Sequence, residues 1–180
     1  MDALGKKVFA AAVLSLAFPL SCSTLALEYF AYGANCDVAT LSRRLRATGL
    51  EEGRRFAVLE DYSVRFSVVG VPGIEPSFAS ITPSNGESTP GVLYTLTGAH
   101  FNTLCVTEGV PLVYTVREVN CCIGRTEVVA AKTLMAVPQR CFPLGLQVRP
   151  SQRYLNLILN GLKESDTPRA YIAAIRKAWT

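Results

Sequence analysis

A chain of 180 residues has room for one domain of ordinary size and is too short for two. Hydrophobic residues make up 49% and charged residues 18%, a balance that excludes an intrinsically disordered chain. The formal net charge of +4 comes from scattered basic residues. The densest groups, Arg43-Arg44-Arg46 and Arg54-Arg55, are not interleaved with aromatics that could stack on bases, so no nucleic-acid partner is expected. The Arg43 to Arg46 run reads as a solvated helix face.

Residues 1–26 differ from the rest. Lys6 and Lys7 precede an apolar stretch over 8–20, and small residues follow (Ser21, Cys22, Ser23, Thr24, Ala26), the layout of a signal or targeting leader. Its thirteen residues, interrupted by Ser15 and Pro19, fall short of the roughly 20 that a transmembrane helix needs, so no stable membrane span is expected once it is removed. The leader would direct the chain to the secretory pathway or a plastid; without it the chain would be cytoplasmic. Residues 27–180 form the domain. Cys36, Cys105, Cys121, Cys122 and Cys141 remain there and read as free thiols rather than a disulfide framework. His100 is the only histidine and no Cys-x-x-Cys occurs, so no metal site is expected.

Residues 27–32 (LEYFAY) are apolar and stop at Gly33, which predicts a buried strand ending in a turn. Asp37 caps a helix whose Val38, Leu41 and Leu45 share a face and which Gly49 ends. Residues 56–69 carry strand periodicity, with Tyr62, Val64, Phe66 and Val68 on one side. Residues 78–82 and 91–96 predict two further strands joined by a turn at Pro83-Ser84-Asn85-Gly86. Thr97 caps a short helix with Phe101, Leu104 and Cys105 on one face, stopped by Gly109. Strands follow over 114–121 and 127–137. Ser151 then caps a helix bearing Tyr154, Leu155, Ile158, Leu159 and Leu162, and a last helix opens near Pro168 with Tyr171, Ile172 and Ile175. Strands in the middle and helices at the end make the class α+β.

Three constellations could carry chemistry. In Tyr32-Gly33-Ala34-Asn35 a strand runs into glycine and small residues just before a helix, exposing backbone N–H groups that suit a carboxylate or oxyanion; an ordinary strand-to-helix turn has the same spacing. Glu108 sits in the last turn of a helix directly before Gly109. There the negative end of the helix dipole and the apolar Val106 and Val110 disfavour an ionised carboxylate, which suits a group that must accept and return a proton; an exposed helix-end Glu reads the same way. Pro150-Ser151-Gln152-Arg153-Tyr154 opens a capped helix and adds a phenol one turn in, alongside residues that pack a core.

The order YFAYGAN, ASITP, GVLYTLT, LCVTEGV, PSQRY and LKE, closed by a proline-led helix, resembles the γ-glutamylcyclotransferase (AIG2-like) family from about Glu28 to Trp179. The family's Tyr-Gly-Ser-Asn is matched by Tyr32-Gly33-Ala34-Asn35, with alanine in place of serine. Its catalytic glutamate is matched by Glu108. A tyrosine in Pro-Ser-x-x-Tyr is matched by Tyr154, and one shortly after the Glu-Gly pair by Tyr114, at a spacing that differs by one residue. The resemblance implies a small mixed β-barrel flanked by helices. It also implies cofactor-free cyclisation of the γ-glutamyl group of a small γ-glutamyl amide to 5-oxoproline. Glu108 would be the general acid/base; Gly33, Ala34 and Asn35 would hold the substrate's α-carboxylate or the developing oxyanion; and Tyr114 and Tyr154 would line the cleft. A cyclotransferase acting on γ-glutamylamines and a non-catalytic γ-glutamyl-binding domain are the alternatives on the same fold. A Ser-His-Asp hydrolase finds no nucleophile-elbow motif near His100.

Overall fold

The computed structural model describes residues 26–179; the leader expected over residues 1–26, with Cys22, lies outside the described residues except for Ala26, which belongs to the first strand. Nine main elements follow in chain order: β1 (Ala26–Ala31), α1 (Val38–Leu45), β2 (Arg55–Val71), β3 (Glu75–Thr97), α2 (Gly98–Thr107), β4 (Tyr114–Ile123), β5 (Glu127–Ala136), α3 (Gln152–Glu164) and α4 (Arg169–Trp179). The strands close into a barrel in the order β1-β3-β2-β4-β5. Most neighbours are antiparallel, and β1 closes the ring by lying parallel to β5 with Tyr29 opposite Lys132. This is the α+β class with a small mixed barrel and flanking helices that the sequence led one to expect. No helix among the described residues is long and apolar enough to cross a membrane.

Alternation along the strands puts Phe30, Leu59, Ile81, Leu93 and Leu134 into the buried core. On the helices, spacing of three and four does the same for Leu41 and Leu45 of α1, Phe101 and Leu104 of α2, and Leu155, Ile158 and Leu162 of α3. Each such side chain contributes roughly 1.5–3 kcal/mol by leaving water. The expected caps form: Asp37 accepts from the Thr40 N–H at 2.8 Å, Thr97 from that of His100 at 3.1 Å, and Ser151 from that of Tyr154 at 3.1 Å. Among the five described cysteines, Cys36 and Cys121 are buried and the other three partly so, all as free thiols.

Two local expectations are corrected. Helix α1 stops at Leu45, not at Gly49, because Arg46 adopts the left-handed conformation (φ 52°) and Ala47 N–H closes back on Ser42 O at 3.0 Å. The chain then turns early enough for Leu50 to be buried. The residues Pro83 to Gly86 make no hairpin turn; they lie inside the single long strand β3. Both flanking segments pair with β2 rather than with each other: Val64 faces Ile81, and Ala57 faces Gly91. Between the Glu60–Ser88 and Tyr62–Pro83 pairs, the extra residues of β3 bulge opposite Asp61. Asp61 is itself left-handed (φ 58°), and its carboxylate accepts the Gly86 N–H at 2.8 Å. Turn-forming residues thus serve a bulge that bends a barrel strand.

Candidate active site

The chain leaves β1 at Ala31 and enters a short 3-10 turn, Ala34–Cys36, before α1. Inside that turn the Cys36 N–H bonds Gly33 O at 2.9 Å and the Asp37 N–H bonds Ala34 O at 3.1 Å. The Cys36 carbonyl accepts the Tyr94 hydroxyl at 2.8 Å. The first N–H groups of a helical turn have no partner within it. Here that segment of backbone, Gly33 to Asn35, forms one wall of a cavity of about 260 Å³.

The opposite wall is the end of α2. Its capping residue is Glu108, followed by Gly109 in the left-handed conformation (φ 72°) that lets the chain reverse there. The third side comes from α3. Ser151 N–H and its hydroxyl both bond the buried carboxylate of Glu75 at the start of β3, which pins the N-terminus of α3 and so places Tyr154. All seven residues singled out from the sequence therefore line one cavity: Tyr32, Gly33, Ala34, Asn35, Glu108, Tyr114 and Tyr154. His100 is not part of that lining.

Tight polar bonding organises the space. Asn35 Nδ2 donates to Glu108 Oε1 at 2.9 Å and to the Tyr29 hydroxyl at 3.1 Å. Asn35 Oδ1 accepts from the Arg44 guanidinium at 2.8 Å, and the same guanidinium nitrogen forms a salt bridge with Glu108 Oε1. Both ends of the Asn35 amide are thus committed to orienting charged groups. The Tyr154 hydroxyl accepts the Ala79 N–H at 3.2 Å, Tyr114 donates to Ala79 O at 3.0 Å, and Tyr32 donates to Leu134 O. Gly33 is bare for a steric reason as well: a Cβ there would lie 3.1 Å from the Tyr154 hydroxyl.

The phenols are neutral across the ordinary pH range. Burial, foremost, pushes Tyr154 up to about 12, and it raises Tyr32, Tyr29 and Tyr114 well above the usual tyrosine value. For Tyr29 the nearby Glu108 charge adds to that rise, and for Tyr114 so do Tyr154 and Glu108. Among the described residues lining the cavity only Glu108 and Arg44 are charged, with side chains 17% and 32% exposed. No cluster of three or more metal-ligating side chains occurs among the described residues. The arrangement offers one carboxylate to move a proton, one guanidinium to hold an anion, backbone amides to receive a developing negative charge, and walls of neutral phenols and apolar side chains.

Two expectations about this site are revised. Val106, expected to desolvate Glu108, is 78% exposed, because residues two positions apart on a helix point to nearly opposite faces. The surroundings of Glu108 are Asn35, Arg44 and the tyrosines instead. Arg44, expected on a solvated face, turns into the cavity. Spacing carried part of the signal, its place beside the buried face but not its partner. Arg44 lies three residues after the buried Leu41 and borders the apolar stripe, whereas Arg43 falls on the far side and is exposed. Tyr29 also lines the cavity and was not among the expected site residues; Tyr29, Phe30 and Ala31 are all buried, so no alternation along β1 singles it out.

The AIG2-like family model matches residues 89–175, which run from β3 through α2 and its terminal Glu108 into α4. The γ-glutamyl cyclotransferase gliK of Aspergillus fumigatus is 28% identical, over 79% of this chain and 59% of its own length. The γ-glutamyl cyclotransferase aclK of Aspergillus oryzae is 26% identical, over 82% of this chain and 59% of its own length. The chain therefore spans about three fifths of the length of these curated relatives. Among solved structures, one of a γ-glutamyl cyclotransferase superimposes with a TM-score of 0.71 at 21% identity, covering 84% of this chain and 87% of that one. At that identity the likeness speaks to the fold.

Proposed function

We propose that the chain is a member of the γ-glutamylcyclotransferase-like (AIG2-like) family, a reading supported by the family match over residues 89–175 and by the Aspergillus relatives, and that it cyclises the γ-glutamyl group of a small γ-glutamyl amide to 5-oxoproline, releasing an amine. The observation that carries this reading is the placement of Glu108 across a small cavity from the Gly33–Asn35 backbone, within hydrogen-bond reach of Asn35.

The nucleophile and the electrophile belong to the same molecule, so the protein's main tasks are orientation and proton transfer. Glu108 takes a proton from the donor's α-ammonium group, breaking an N–H bond and forming an O–H bond. The neutral amine attacks the γ-carbonyl carbon, a C–N bond forms, and the carbonyl electron pair moves onto oxygen beside the cradle amides. When that pair returns, the original amide C–N bond breaks, and protonated Glu108 delivers its proton to the departing nitrogen. The carboxylate so freed takes the second proton from the ring nitrogen, which becomes the lactam N–H, and passes it to the released amine, which departs as an ammonium ion; Glu108 ends as it began. The names of the Aspergillus relatives support the reaction class.

The purified protein should release 5-oxoproline from γ-glutamyl dipeptides, and Glu108→Gln should reduce that rate by about 10² to 10⁴ with the far-UV spectrum unchanged. Full activity in the variant would remove Glu108 from the mechanism. Binding of the donor without product by the unaltered protein would make this a γ-glutamyl-binding domain. Turnover confined to γ-glutamylamines would move the leaving group to that class.

A further inference from the structure

On the cyclisation reading above, we propose that Arg44 is the receptor for the donor's α-carboxylate, and that the substrate enters by exchanging partners with the Arg44–Glu108 ion pair. Arg44 is the sole cation among the described residues lining the cavity. Its NH1 group is shared between Asn35 Oδ1 and Glu108 Oε1. Its helix, α1, follows directly on the Ala34–Cys36 turn and is capped by Asp37, which places Arg44 on the element next to that turn.

A γ-glutamyl donor carries an ammonium and a carboxylate on one carbon. The ammonium must reach Glu108 to lose its proton, yet Glu108 Oε1 is engaged by Arg44. The carboxylate, one bond from the carbon that bears the ammonium, is the complementary partner that a guanidinium fork accepts through two parallel N–H bonds. When the donor enters, carboxylate replaces Glu108 at Arg44 and ammonium replaces Arg44 at Glu108. Every charge keeps a partner, so none is stranded in the cavity, the condition under which partly buried ions are tolerated. Asn35, bonded to both charged residues, keeps them side by side on the cavity wall. The division of labour follows. Arg44 takes the α-carboxylate, and the amide face of the Gly33–Asn35 turn, where the Ala34 amide meets the Tyr154 hydroxyl, is left to the γ-carbonyl oxygen on which charge develops.

The test compares two donors, a γ-glutamyl dipeptide with a free α-carboxylate and the same compound as its α-carboxamide, in the unaltered protein and in Arg44→Gln and Arg44→Lys. The unaltered protein should prefer the acid by about 100-fold or more in kcat/KM, since a site built for a charged group rejects the analogue that lacks it. Arg44→Gln should lower kcat/KM for the acid, mainly through KM, leave the carboxamide little changed and shrink the preference below about 10-fold; Arg44→Lys should fall between. An equal loss on both donors would mean that Arg44 only orients Glu108, and would overturn the proposal while leaving the cyclisation intact. Calorimetric binding of both donors to Glu108→Gln, with and without Arg44→Gln, separates the remaining cases. Arg44-dependent preference for the acid without turnover in the unaltered protein upholds the carboxylate site and sinks the catalytic reading. Absence of that preference, with or without turnover, sinks the carboxylate site.

Discussion

Gly161 lies in the middle of α3, where a glycine normally weakens a helix by about 1 kcal/mol relative to alanine, so Gly161→Ala would be expected to stabilise the protein on helix propensity alone. The tertiary structure reverses that sign. A Cβ built on Gly161 would lie 2.1 Å from both the carbonyl carbon and oxygen of Cys36 and 2.4 Å from the Asp37 nitrogen, all of them backbone atoms. Ordinary contact begins near 3.4 Å, so α3 and the cradle turn would have to separate by about 1.3 Å, loosening the packing of Leu155, Ile158 and Leu162 that the same helix buries. Overpacking of this kind costs typically 1–3 kcal/mol and sometimes more. With the partial unpacking of α3 added and the propensity gain subtracted, the expected loss is about 2–3 kcal/mol. For a domain of this size, that lowers the unfolding midpoint by about 5–10 °C. Thermal and urea unfolding of the two proteins measure it directly. Because the moved backbone carries Ala34 and Asn35, KM for a γ-glutamyl donor should rise as well. An unchanged or higher midpoint would refute the claim that α3 rests directly on the cradle.

Two further outcomes follow from the buried phenols. Tyr154→Phe leaves the buried Ala79 N–H without its acceptor and should cost about 1–3 kcal/mol in urea unfolding, with an accompanying loss of activity; a neutral effect would mean that this bond is not made in solution. Tyrosines titrate near 10 in the unfolded chain, while burial raises Tyr29, Tyr32, Tyr94, Tyr114 and Tyr154 in the folded one. Above pH ~10 the unfolded state releases protons that the native state keeps, so the stability present below that pH falls as pH rises, by about 1.4 kcal/mol per pH unit for each such tyrosine. Tyrosinate absorbance and far-UV ellipticity should then change together in one cooperative alkaline step. Gradual tyrosine ionisation with intact ellipticity would contradict the buried assignment.

The local features of this protein are written in its sequence because each depends on residues close together in the chain. The Asp37, Thr97 and Ser151 caps, the apolar stripes of α1 and α3, and the Gly109 stop follow from spacing and side-chain chemistry within a turn or two. The order of its short motifs along the chain was enough to place Glu108, the Tyr32 to Asn35 segment, Tyr114 and Tyr154 in one family pattern. What spacing could not decide depended on contacts across the chain. The Pro83 to Gly86 segment has every local mark of a hairpin turn, but strand β2 is long enough to pair with both of its flanks, and the turn became a bulge. Arg44 sits in a basic run that resembles a solvent face, and only the approach of Glu108, 64 residues further on, gives it an inward partner. Gly161 is an ordinary helix residue until the Cys36 backbone is seen against it. Short-range chemistry determined most of the elements and brought Glu108 forward as a candidate acid/base. Long-range packing decided which charges meet in the cavity, because an ion pair between distant residues leaves no periodic trace in the chain that makes it.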